Sequence, residues 1–196
     1  MKPNFYWGDP DASVHFCEDK YTVSSWIAEY TNSLSAIFYI IVGCIFFNTR
    51  LKNISYDLFF LGISTFLFHM SMRAWGQILD EMSMILLSYD ALCDIIKCKR
   101  IYVIPILVFY LFHHNYFAFF LLLFSGLQIY ITKQGLANCD EYKRKFLYGY
   151  IISMICGLFF WICDQLLCDS IEYYYYHAIW HYLSAQAILF GLLSIL

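Results

Sequence analysis

The sequence predicts an all-α integral membrane protein: a bundle of seven transmembrane helices, N-terminus outside or lumenal and C-terminus cytosolic. Composition is the first observation behind this. Of 196 residues, 61% are hydrophobic and only 14% charged, whereas soluble chains run about 25% charged. Aromatic residues make up 21%, which suits a lipid-facing surface with interfacial belts. The second observation is a series of apolar runs near the span length of about 20 residues. The third is the alternation of Lys and Arg between successive loops. A net charge of −3 with no basic patch gives no reason to expect a nucleic-acid partner.

Each helix follows from its run. Residues 1–28 are polar and acidic near the start, so they read as an extramembrane segment packed on the outer mouth of the bundle, not as a cleavable signal peptide. Residues 29–196 hold the spans. Tyr30 to Thr49 carries no charge and is the first. The second runs from about Ser55 to Met72, and the third from about Gln77 to Ile96, with Asp80, Glu81, Asp90 and Asp94 inside it. Ile101 to Thr132 is uncharged but overshoots one bilayer by about half. His113-His114-Asn115 therefore reads as a tight turn between two short spans, the fourth and fifth. Lys145 to Cys163 is the sixth and Tyr174 to Leu196 the seventh. The Tyr173 to Tyr176 run marks an interfacial belt. Loops after spans one, three and five hold nine of the 12 basic residues; the opposite side has only Lys2, Lys20 and Arg73. Positive residues favour the cytosol, which fixes the orientation. The sequon Asn53-Ile54-Ser55 then lies in a cytosolic loop, beyond the reach of glycosylation.

Three histidines stand out. His177 and His181 form an H-x-x-x-H pair, which on a helix puts both imidazoles on one face about 6 Å apart. His69 lies near the end of span two. With this topology His69, Asp80 and the pair all fall near the outer ends of their helices, at one membrane depth. Ionisable residues inside a bilayer are costly, so such a cluster is a functional hypothesis by default. Three imidazoles with one open position suit a catalytic zinc ion; three satisfied core histidines are the plainer alternative.

The residues around these positions resemble the alkaline ceramidases, members of a wider superfamily of seven-helix zinc-dependent membrane hydrolases and adiponectin-type receptors. Thr65-Phe66-Leu67-Phe68-His69, Leu79-Asp80-Glu81 and His177-Ala178-Ile179-Trp180-His181 look like the three family signatures, in order. Tyr6-Trp7-Gly8, Cys17-Glu18, Trp26-Ile27-Ala28-Glu29 and Phe160-Trp161 with Asp164 and Cys168 are similar to ceramidases rather than receptors. The resemblance implies hydrolysis of a ceramide-like lipid amide to a sphingoid base and a free fatty acid. It makes His69, His177 and His181 the Zn2+ ligands, and Asp80 the carboxylate that orients water and moves its proton. Glu81 reads either as a second functional acid or as a charge offsetting the helix dipole.

Two positions depart from the family pattern. Thr65 stands where the family has serine, four residues before His69 and on the same helix face, where its hydroxyl can donate to a developing oxyanion. Its plainer role is a back-bond to the carbonyl four residues earlier, and Ser64, about 100° around the helix, is its rival. The family also has a calcium site joining the N-terminal segment to the first helix. The matching positions here read His15, Phe16, Glu18, Lys20 and Glu29. Calcium takes about six to eight oxygen ligands, and an ammonium repels it. The expectation is that calcium is absent and that Lys20 takes its place, pairing with Glu18 and Glu29; solvated loop charges are the alternative.

The resemblance pairs Cys17 with Cys168, on the predicted outer side where disulfides persist. Cys44, Cys93, Cys156 and Cys163 read as buried small apolar residues, and Cys98 and Cys139 as thiols facing a reducing cytosol. The lipid bilayer and a ceramide-like substrate are the expected partners, with no obligate protein partner indicated. The expected location is the endoplasmic reticulum or Golgi in a eukaryote and the inner membrane in a bacterium. Competing functions are a related zinc hydrolase acting on a phospholipid or acyl ester, a non-catalytic receptor braced by zinc, and a bis-histidine haem protein. Haem leaves Asp80 unexplained. The ceramidase-like N-terminal residues and a chain ending at Leu196, without a cytosolic signalling extension, weigh against the receptor.

Overall fold

The computed structural model describes residues 6–168 and 175–196. Lys2, Tyr173 and Tyr174, used above for topology, the aromatic belt and the start of the seventh span, lie outside the described residues. Those residues hold eight α-helices and no named strand: α1 (Tyr30–Ser35), α2 (Ile37–Phe46), α3 (Lys52–Ser71), α4 (Ala74–Ile96), α5 (Val103–His113), α6 (Phe117–Asn138), α7 (Arg144–Leu166) and α8 (Tyr176–Ile195). Four are long and apolar enough to cross a membrane: α3, α6, α7 extended back to Glu141, and α8. Segments Tyr30–Phe46 and Arg100–His113 are shorter apolar helices. The chain is thus a multi-pass membrane protein. At 23 residues α4 is long enough, but its four acids lower its apolarity.

Helix breaks have local causes. The first predicted span divides at Ala36. Ser33 Oγ donates to the Glu29 carbonyl at 2.6 Å and Ser35 Oγ to the Asn32 carbonyl at 2.8 Å. Such back-bonds compete with the helical ladder and bend it, and the Tyr39 amide reaches only three residues back, to Ala36, at 3.2 Å. The break expected at His113-His114-Asn115 is present: α5 ends at His113 and α6 begins at Phe117. α3 begins at Lys52 and α6 continues to Asn138, each past its predicted apolar limit, because a helix gains a backbone hydrogen bond per added residue whether or not that residue is apolar.

Met72 closes α3 in the left-handed conformation, φ 50°. Arg73 then extends and caps α4, so the two helices run back to back. Gly76 makes their approach feasible: a Cβ there would sit 2.9 Å from the Phe68 Cα. This contact is one residue from His69 and four from Asp80, so it sets how near those side chains come.

The N-terminal segment is clamped over the end of the bundle that carries the histidines. Asp11 and Ala12 amides donate to the Met72 carbonyl, Ala28 to Met70 at 2.8 Å and Glu29 to His69 at 3.0 Å. Ala12, Val14, Phe16 and Ala28 bury against Phe68 and Met72. A Cys17–Cys168 disulfide ties the segment to the end of α7. At the other end of the bundle, Phe46, Leu51, Ile54, Leu58 and Leu192 form the main apolar cluster.

Other cysteines depart from expectation. Cys93 is buried, but it forms a disulfide with Cys98. The left-handed conformation of Lys97, φ 58°, turns the chain back and brings the two Cα atoms within 4.5 Å. Cys44 and Cys156 are exposed on the helix surface rather than buried, where apolar surroundings come from lipid.

Candidate metal and catalytic site

His69 lies in the last turn of α3, and His177 and His181 in the first turns of α8. One ligand atom from each lies within 4.8 Å of the others, and all three side chains are buried. That spacing suits three donors around one ion. Hydrogen bonds assign the nitrogens. His69 Nδ1 meets Glu29 Oε2 at 2.6 Å, while its Nε2 is buried without a partner. His181 Nδ1 meets Ser35 Oγ at 2.6 Å. A metal-bound imidazole almost always engages its other nitrogen in this way. His177 Nδ1 is likewise buried and unpartnered. Orphaned buried nitrogens are costly, and a shared cation satisfies them together, so the residues fit a metal ion.

Asp80 and Thr65 face the same space. Thr65 Oγ1 donates to Asp80 Oδ1 at 2.5 Å, so its hydroxyl is held by a side chain, not by the carbonyl four residues back. Ser64, the rival, turns away: it bonds the Leu61 carbonyl and Ser83. Glu81 is no solvated dipole charge. It is buried and accepts from Gln77 at 2.6 Å and Tyr110 at 2.8 Å. Gln77 in turn bonds Ser13, linking α4, α5 and the N-terminal segment.

Lys20 occupies a nest of oxygens. Its Nζ donates to the Phe16 carbonyl at 2.8 Å and the Glu18 carbonyl at 2.7 Å, and forms an ion pair with Glu29. The predicted pairing with the Glu18 carboxylate is not made. That carboxylate instead accepts from the Thr31 and Asn32 amides, at 2.6 and 2.8 Å, because the first amides of a helix lack intrahelical partners. His15 offers only its carbonyl, to Gln165. A chain of contacts, Lys20 to Glu29 to His69, therefore joins the N-terminal segment to the histidine cluster.

Three contacts with the histidines were not legible in the sequence. Ser35 reads as an ordinary serine in an apolar run. Glu29 was noticed, but its contact with His69 depends on tertiary packing. The Phe16 ring lies over His177 with centroids 3.8 Å apart; no local signal marks it.

Below the cluster lies a cavity of about 440 Å³, lined by Thr65, Asp80, His177 and His181 at one end and by side chains of α6 and α7 along its length. Its wall is mostly aromatic and aliphatic, as expected for a lipid chain.

Residues 8–195 match the ceramidase family. The chain belongs to the ceramidase family. Among its relatives, alkaline ceramidase 1 of Mus musculus is 24% identical over 93% of this chain and 78% of its own length. The alkaline ceramidase of Arabidopsis thaliana is 23% identical over 90% of this chain and 79% of its own. An alkaline ceramidase of Saccharomyces cerevisiae is 31% identical over 40% of this chain, 28% of that ceramidase.

Proposed function

We propose that this ceramidase-family chain is an intramembrane zinc-dependent amidase that hydrolyses ceramide-like lipids. Water adds its oxygen to the acyl carbon, the carbon–nitrogen bond breaks, and the nitrogen leaves with a proton. The products are a fatty acid and a sphingoid base. One observation carries this: three buried imidazoles within 4.8 Å of one another at the head of an apolar cavity that Asp80 also lines. His69, His177 and His181 would hold the ion. Zinc bound by three protein ligands acidifies water to a pKa of about 7 and polarises carbonyls.

The chain's own groups supply the rest. Asp80 receives the proton of the attacking water and returns it to the departing nitrogen. While Asp80 is ionised, its charge holds the Thr65 hydroxyl through a strong hydrogen bond. Protonating Asp80 weakens that bond and frees the hydroxyl to donate to the developing oxyanion. Glu29 and Ser35 orient His69 and His181. Lys20 takes the position of a structural cation, neutralising Glu29 and gathering the Phe16 and Glu18 carbonyls, so activity is indifferent to calcium. Seven spans with the histidine end outside complete the reading, placing the protein in the endoplasmic reticulum or Golgi of a eukaryote or the inner membrane of a bacterium.

Purified protein incubated with ceramides, simple acyl-amides and phospholipids, with and without a zinc chelator, tests this. The expected result is release of sphingoid base that stops on chelation. Phospholipid cleavage with no ceramide cleavage would reassign the substrate.

A further inference from the structure

The inner part of the cavity is lined by polar groups that the reaction does not use. Gln128 of α6 donates from Nε2 to Ser88 Oγ of α4 at 2.8 Å, and its Oε1 accepts from the Tyr150 hydroxyl of α7 at 2.8 Å. Ser88 passes its own proton to the Met84 carbonyl at 2.7 Å. Three helices are thus joined across an otherwise apolar space. Gln128 and Tyr150 also line a second, smaller cavity of about 80 Å³ that continues toward Leu192 and Ile195. The bridge stands where the two cavities meet, among side chains that line both.

We propose that the Ser88–Gln128–Tyr150 bridge sets the length of lipid chain the protein accepts. This rests on the amidase reading for its substrate, though the bridge itself does not. Ser88 lies eight residues beyond Asp80 on α4, about 12 Å along a helix. An extended chain covers that distance in about ten bonds, at roughly 3.5 Å for three bonds of backbone. A tail of that length runs from the reacting carbonyl to the bridge. A longer one must force it apart or bend out between helices. Forcing it leaves an amide and a hydroxyl unpaired in apolar surroundings, which resists opening. Shortening Gln128 clears the junction of the two cavities and lets the tail run on.

The test uses purified full-length protein and Gln128→Ala, Gln128→Leu and Gln128→Asn. Two readouts run in parallel: kcat/KM on ceramides of graded acyl length, and thermal stabilisation by free fatty acids of graded length. In a fitted apolar pocket one methylene too many changes kcat/KM by about tenfold or more. A drop of that size is expected once chains pass the bridge. Gln128→Ala shifts the limit to longer chains, raising the long-to-short ratio about tenfold; Gln128→Leu, which keeps the bulk but loses the hydrogen bonds, shifts it by less. Gln128→Asn shifts it less and serves if the alanine variant does not fold. An unchanged limit in both readouts, with ceramide still cleaved, overturns the gauge and leaves the amidase reading intact. A shifted fatty-acid limit with no ceramide cleaved by any variant overturns the amidase reading and keeps the gauge.

Discussion

At the scale of residues, the proposed roles fall to His69, His177 and His181 for the metal, to Asp80 for the proton, and to Glu29 and Ser35 for positioning the imidazoles. Asp80→Asn keeps shape but cannot take a proton. It is expected to lower kcat by about 10²–10⁴-fold while metal content, read by elemental analysis, stays at the parent level. Thr65→Ala removes an oxyanion donor and is expected to cost about 10²-fold in kcat, with Ser64→Ala near the parent rate because Ser64 bonds Leu61 and Ser83. The reverse ranking would transfer the role to Ser64. Lys20→Met leaves the fully buried Glu29 without its cation. Breaking a buried pair costs about 3 kcal/mol, so a marked fall in melting temperature is expected, while millimolar calcium leaves the parent's activity and melting temperature unchanged. A calcium-dependent rise in the parent would contradict the replacement.

Among the helices, what was legible depended on range. Apolar runs carry their own signal, so the four long apolar helices α3, α6, α7 and α8 and the break at His113-His114-Asn115 could be read directly. Back-bonding serines leave no mark in a hydropathy pattern, so the division at Ala36 could not. Nor could the Cys93–Cys98 pair, which needs Lys97 in a left-handed conformation that favours Gly or Asn. At the site, H-x-x-x-H periodicity singled out His177 and His181, and helix direction brought His69 and Asp80 level with them. Ser35, Phe16 and the Glu29–His69 contact come from segments far apart in sequence and had no local trace. Two consequences belong here. Gly76→Ala forces a Cβ against the Phe68 backbone, and overpacking costs about 1–3 kcal/mol. It is expected to lower activity more than Ser83→Ala, by displacing α4 from His69. Replacing both Cys17 and Cys168 with serine removes a link between residues 151 apart. A loss of about 2–4 kcal/mol, seen as a lower melting temperature, is expected.

For the whole molecule, charge bears on the proposed orientation and the cavity on the proposed route of a lipid substrate. Nine basic residues on one side place that side in the cytosol by the positive-inside rule, yet the Cys93–Cys98 disulfide lies on that side, and disulfides persist in oxidising compartments. Labelling of the free Cys139 on the same side with a membrane-impermeant thiol reagent, in sealed vesicles with the cytosolic face outward, separates the two: with the cytosolic assignment Cys139 is reached without permeabilisation. α6 and α7 touch little and the cavity runs between them, an arrangement that suits sideways entry of the proposed lipid substrate. In the proposed reading all of this serves a single ion at the head of that cavity. Zinc content of the purified, folded protein is the measurement closest to that claim. About one zinc per chain is expected, lost in His69→Ala and in His177→Ala together with sphingoid-base release. Folded protein that contains no metal yet cleaves ceramide, or a His69→Ala variant that keeps its zinc, would contradict it.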